Sequence, residues 1–115
     1  MQIITSITDQ PKQKFNIKLD DNSQAIMRLY FYPSQQSWYF DIEYNNKQNN
    51  GNKVVLTLNA IRNFRKIWPF GISFISESNA DPFTLDAFVN GNVQMLVLNK
   101  EEVQMIEETI YNESI

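Results

Sequence analysis

Apolar side chains recur at every second position through most of residues 12–44, and that period marks strands with one face buried and one face wet. The clearest run is residues 38–44, where Trp38, Phe40, Ile42 and Tyr44 alternate with Tyr39, Asp41 and Glu43. Residues 12–19 set Phe15, Ile17 and Leu19 on one side. Residues 24–32 set Ala25, Met27, Leu29 and Phe31 on one face. Ile26, Arg28, Tyr30 and Tyr32 lie on the other, which is mixed and partly apolar. Asp20, Asp21, Asn22 and Ser23 read as the turn between the first two runs, and Pro33 breaks the second. Three strands joined this way form an antiparallel meander.

The remainder of the chain is less regular. Residues 45–52 are a polar, Asn-rich tract that reads as an exposed hairpin loop. Residues 53–58 resume strand character, and Asn59 stands as the cap of a short helix through Ala60, Ile61, Phe64 and Ile67, ended by Trp68-Pro69 and Gly71. Residues 72–77 predict another strand. Residues 84–89 read either as a strand or as a distorted helical turn, and an irregular stretch into Asn90-Gly91 is favoured. Residues 93–98 are a compact apolar strand. Asn99 and Glu102 then have the spacing of a capping box, with Glu101 and Glu102 at the positive end of the helix dipole. Val103, Ile106 and Ile110 form an apolar stripe on that helix. Glu101, Glu102, Glu107, Glu108 and Glu113 form its acidic side.

These elements give a mainly β fold, a small antiparallel barrel or sandwich with one short internal helix and a C-terminal helix. Residues 1–99 would form the β domain and residues 100–115 a helical tail. A chain of 115 residues, 43% hydrophobic, is one domain that can bury roughly two-thirds of its unfolded surface. Fifteen aromatics, 13% of the chain, enrich strands and interfaces. Fourteen Asn residues are attributed mainly to an AT-rich genome. No run approaches the ~18 apolar residues of a membrane span, and residues 1–11 lack the charged and apolar regions of a signal peptide.

Composition also narrows the chemistry. With neither Cys nor His, the chain has no thiolate nucleophile, no imidazole dyad and no zinc site of the usual kind. No phosphate-binding glycine loop is present, and three glycines could hardly build one. Asp41 and Glu43 project from the same face of one strand at roughly 7 Å between Cα atoms, a carboxylate spacing that suits a glycosidase. Their alternation with Trp38, Phe40 and Ile42 is also the ordinary wet face of a strand, which is the reading adopted. Asn79, Asp81, Asp86 and Asn90 match no calcium loop. Catalytic, cofactor and metal residues are therefore none. Arg62, Arg65 and Lys66 beside Trp68 form the one concentrated basic patch, read evenly as a dock for an acidic protein or as a solvated helix face. A net charge of −3 argues against specific nucleic-acid binding.

One pattern reaches further. Pro11-x-Gln13-x-Phe15-x-Ile17-x-Leu19 leads into Met27-Arg28-Leu29-Tyr30-Phe31 and then Ser37-Trp38-Tyr39-Phe40-Asp41-Ile42. Together they resemble the phage baseplate plug proteins of cyanophage-type contractile tails, over roughly residues 4–98. The resemblance implies a non-enzymatic virion protein, with a β domain related to the tail tube, at the hub where tube meets baseplate. It also implies assembly in the host cytoplasm and partners among other tail and baseplate proteins in a ring-forming homo- or hetero-oligomer, with no membrane. Tyr30, Tyr32, Arg62, Arg65, Lys66, Trp68, Val103, Ile106 and Ile110 are the interface candidates. The alternative is a carbohydrate- or peptide-binding β module, with Tyr39 or Trp68 stacking on the ligand. The resemblance ends before the C-terminal helix, so docking of that helix on a partner is favoured over docking on its own sheet.

Overall fold

A computed structural model describes residues 1–112. The meander read from the alternation is present: β2 (Lys12–Lys18), β3 (Gln24–Tyr32) and β4 (Ser37–Tyr44) pair antiparallel. A further strand, β5 (Lys47–Lys53), completes a four-stranded sheet in the order β2-β3-β4-β5. The second sheet has three strands in the order β1-β7-β6, formed by β1 (Gln2–Ile4), β6 (Phe70–Ile75) and β7 (Gln94–Asn99). The helix α1 (Lys100–Thr109) follows β7 directly.

The two sheets pack face to face as a sandwich. Ile17, Ala25, Met27, Leu29, Trp38, Phe40 and Ile42 of the larger sheet are buried in one cluster with Phe70, Ile72, Phe74, Met95 and Val97 of the smaller. Phe40 meets Phe74 across the layers with ring centroids 5.7 Å apart, and Tyr44 meets Phe70 at 5.3 Å. The inward direction of Trp38, Phe40 and Ile42 is as their period requires. No ladder joins the sheets into a closed barrel among the described residues.

In the smaller sheet β6 and β7 are covered on both faces, which fits the continuous apolar run of β7. Gly71, Ser73, Leu96 and Leu98 alternate with the core residues and are also buried. Over this second face lies α1, which touches β6 and β7. A Cβ at Gly71 would come within 2.9 Å of both Asn59 Oδ1 and a Val103 methyl, so the helix seats where one side chain is missing. The capping box is formed: Asn99 accepts from the Glu102 N–H at 2.8 Å, and Glu102 accepts from the Asn99 N–H at 3.0 Å.

Several local expectations change. Residues 45–52 are not a loop: Asn45 and Asn46 alone make the turn, both at positive φ, and the polar residues after them form β5. Opposite the irregularity between Phe40 and Ile42, Gly51 holds φ +72°, and its N–H donates to Asp41 at 2.7 Å. Of residues 53–58, read as a strand, Lys53 ends β5 and the rest give only an isolated bridge from Thr57 to Phe74. The short helix contracts to a single 3-10 turn, Arg62–Phe64, without a side-chain cap. Asn59 instead accepts from the N–H groups of Ile61 and Ile72, both at 3.2 Å, and ties this turn to β6. Residues 84–89 are irregular turn structure, as favoured. Positive φ occurs at Asn22, Asn45, Asn46, Asn79, Asn112 and Gln36, so asparagine supplies the left-handed turns that scarce glycine does not.

Candidate partner-contact surfaces

The outer face of the four-stranded sheet carries the first candidate surface. The register sets Lys12, Tyr30, Tyr39 and Lys53 in one row across the four strands and Lys14, Arg28 and Asp41 in the next. Tyr30 and Tyr39 stack at 6.0 Å, and the Tyr32 ring stands edge-on to both, at 5.4 and 5.2 Å. The Tyr30 hydroxyl donates to Asp41 at 2.8 Å and the Tyr39 hydroxyl to Gln35 at 2.6 Å. Burial, then the Asp41 hydrogen bond and charge, push the Tyr30 phenol up from 10.0 to about 12. Tyr32 remains 45% exposed. A groove lined by Lys12, Lys14, Arg28, Tyr30, Tyr32 and Asp41 runs along this face.

Asp41 and Glu43 lie on the same face, each held by its own hydrogen-bond partners. Asp41 accepts from Tyr30 and Gly51, while Glu43 accepts from Gln48 at 2.9 Å. Both are fastened into the sheet surface by their neighbours.

The basic patch is placed differently from expectation. Glu107, on the acidic side of α1, is fully buried and receives Arg62 in a two-point contact, Nε to Oε2 at 2.8 Å and a terminal nitrogen to Oε1 at 2.9 Å. Arg65 Nε reaches Oε1 at 3.0 Å, and the Arg62 guanidinium lies 3.9 Å from the centre of the Tyr111 ring. These two arginines hold α1 against the 3-10 turn. Lys66 is exposed. Trp68 is only 4% exposed, stacked between Phe64 at 4.3 Å and Phe70 at 5.7 Å, so it offers no ring to a ligand.

The apolar stripe of α1 is likewise divided. Val103 is buried against the chain's own sheet, Ile106 is half-buried, and Ile110 is 58% exposed. The helix therefore docks within the chain, because the second face of β6 and β7 is apolar and would otherwise lie open. Glu113 falls outside the described residues.

A further surface has no strand or helix period to reveal it. Phe83, Leu85 and Val89 are exposed on the turn-rich segment between β6 and β7, Phe83 by 61%. Trp38 donates its indole N–H to the Thr84 carbonyl at 2.9 Å, and Phe88 packs edge-on to Trp38 at 5.4 Å. These contacts anchor the segment and leave the apolar residues beside them outward. Pro82 and Asn90-Gly91, bracketing apolar residues without alternation, are the sequence signal that marks it.

Among the described residues, no helix is long and apolar enough to cross a membrane, and no group of three or more acidic, His or Cys side chains could hold a metal ion. Of the curated proteins, none matches the chain. Residues 1–101 match the family model described as cyanophage baseplate Pam3 plug gp18.

Proposed function

The chain belongs to the family of the cyanophage baseplate plug, a structural baseplate family, and on that premise we propose that it sits at the hub where the tail tube meets the baseplate. In this reading it is non-enzymatic and acts through contacts with other tail and baseplate proteins in a ring-forming oligomer, assembled in the host cytoplasm. Its two-layer β domain would be related to that of the tail tube. Residues 1–99 form the plug domain, and residues 100–115 are an extension whose helix folds back onto it.

The family match over residues 1–101 carries the reading. Two surfaces support it. The tyrosine face of the larger sheet and the apolar residues around Phe83 both offer aromatic, solvent-facing area of the kind that interfaces bury. Of the interface residues expected from sequence, Tyr30, Tyr32, Lys66 and Ile110 keep accessible surface for a partner. Arg62, Arg65, Trp68, Val103 and Ile106 act mainly in holding the fold.

The test is a phage lacking the gene for this chain, complemented by an epitope-tagged full chain. Complementation should restore complete tails, with the tag at the baseplate end of the tube. Complete, infectious tails without the chain would overturn the structural role, and a tag elsewhere on the virion would overturn the hub position. The double variant Asp41→Asn, Glu43→Gln should complement as well as the parent. Glycan cleavage by the purified chain that this variant abolishes would overturn the non-enzymatic reading.

A further inference from the structure

Charge is distributed unevenly over the sandwich. The outer face of the four-stranded sheet carries five cations, Lys12, Lys14, Lys18, Arg28 and Lys53, against two acids, Asp41 and Glu43. The whole sequence has ten Lys and Arg and thirteen Asp and Glu, so the rest of the chain holds five cations and eleven acids. One face of a net-acidic molecule is therefore net-basic. Alternation places the cations there, because residues 12, 14 and 18 share one side of β2.

The acids on that face are also engaged. Asp41 takes the Tyr30 hydroxyl and the Gly51 N–H, and Glu43 takes the Gln48 amide. The tyrosines lie packed on one another, so little side-chain freedom remains to be lost on contact. Together with the shallow groove lined by Lys12, Lys14, Arg28, Tyr30 and Tyr32, where the one carboxylate, Asp41, already accepts two hydrogen bonds, this is a surface with cations to spare for something negatively charged.

We propose that the outer face of the β2-β3-β4-β5 sheet docks an acidic polypeptide segment of a neighbouring protein, its carboxylates set against Lys12, Lys14, Arg28 and Lys53 and its apolar parts against Tyr30, Tyr32 and Tyr39. This rests on the reading of the face as a contact with a tail or baseplate protein. Size and field favour a short acidic segment over other anions. Four strands at ~4.8 Å spacing and about seven residues at ~3.4 Å give a face of about 450 Å², roughly half the area each partner gives to a standard interface. A nucleic-acid strand longer than this face would run onto surfaces where acids outnumber cations. A second copy is disfavoured because docking it brings two whole net-acidic molecules together, whereas a short segment brings only its own carboxylates to the basic face.

The experiment titrates the isotope-labelled full chain with an acetylated decapeptide of alternating Glu and Ser. A Lys/Ser decapeptide and a ten-nucleotide oligothymidylate are titrated in parallel. The acidic peptide should shift backbone amides of β2, β3 and β4, with affinity falling as salt is raised. The triple variant Lys12→Gln, Lys14→Gln, Arg28→Gln should weaken binding by about tenfold, and Lys53→Gln alone should weaken it less. Because these side chains are solvent-facing, retention of the amide spectrum checks that the variants fold. No binding of the acidic peptide, or equal binding by the triple variant, overturns the proposal. So does preferential binding of the oligothymidylate, or self-association that the triple variant abolishes. Incorporation into tails separates this from the functional reading. If Tyr32→Ala is excluded from tails while the acidic peptide does not bind, the face is a docking surface of other chemistry and only the present inference fails. If neither Tyr32→Ala nor the triple variant affects incorporation, this face takes no part in assembly, and the family-based baseplate role stands on the rest of the molecule.

Discussion

Glu107 is fully buried on a ten-residue helix, and two arginine side chains from a segment some 45 residues earlier converge on it. A charge in such a place is tolerated only when its oxygens are filled by opposite charges and hydrogen bonds. Removing the acceptor charge leaves two cations facing each other, although Arg62 and Arg65 keep 31% and 19% exposure and can turn partly to water. Glu107→Gln should therefore cost about 3 kcal/mol, near the lower end for breaking a buried pair, as read from urea unfolding. Loss of less than 0.5 kcal/mol would mean the contacts are no stronger than exposed ones. Tyr30 offers a second residue-scale test. Its phenol ionises near 12 in the folded chain against 10.0 as the ordinary value, so its share of stability is complete below pH 10 and is lost as pH rises through the folded value. An ultraviolet phenolate titration should show a component that lags the ordinary tyrosine value and is missing in Tyr30→Phe. In Asp41→Asn that lag should shrink, since the negative acceptor beside the hydroxyl is gone.

At the scale of elements, α1 carries the clearest revision of expectation. A ten-residue helix is marginal alone in water, and its stability comes from what it packs on. The packing is internal: Val103 over Gly71, Glu107 into the arginines, and the capping box joining helix to β7. Removing residues 100–115 should then lower the melting temperature of the isolated domain by several degrees, because Gly71, Leu96 and Leu98 lose their cover. An unchanged melting temperature would show that the β domain closes without the helix. What was legible in the sequence follows from burial. β2, β3 and β4 have one wet face and could be read directly from their period. β6, legible by alternation over 72–77, and β7, legible as a compact apolar run over 93–98, lie one or two residues from those bounds because both faces are buried and no wet face marks their ends. β5 was illegible because an edge strand of Gln, Asn and Lys has no buried face to declare it. Glu107 looked like one more acid on a solvated helix face, since nothing local links it to Arg62 and Arg65. The asparagines attributed to genome composition hold, among the described residues, five of the six non-glycine positive-φ positions, a role visible only once the turns are in place.

Across the whole molecule the sandwich separates its tasks by surface. The inner faces of the two sheets hold the aromatic core, α1 lies over the backs of β6 and β7, and the front of the larger sheet is left with cations and tyrosines. The two tryptophans sample this arrangement at different depths. Trp38 is buried in the sandwich with its N–H on Thr84, while Trp68 lies between the 3-10 turn and β6 on the rings of Phe64 and Phe70. Both indoles are shielded from water, so the native chain should emit at short wavelength and shift to the red on unfolding. Trp38→Phe leaves a fluorophore that watches the region around the turn and the helix, and Trp68→Phe leaves one that watches the sheet-to-sheet core. Because Trp68 stacks on Phe70, a member of the same buried cluster as Trp38, the two emission curves should coincide in urea once corrected for each variant's own stability. A red shift of Trp68 that precedes that of Trp38 would reveal a molecule that opens at the helical end first. The placement of two indoles thus turns the layered fold into its own optical record of the order in which the layers part.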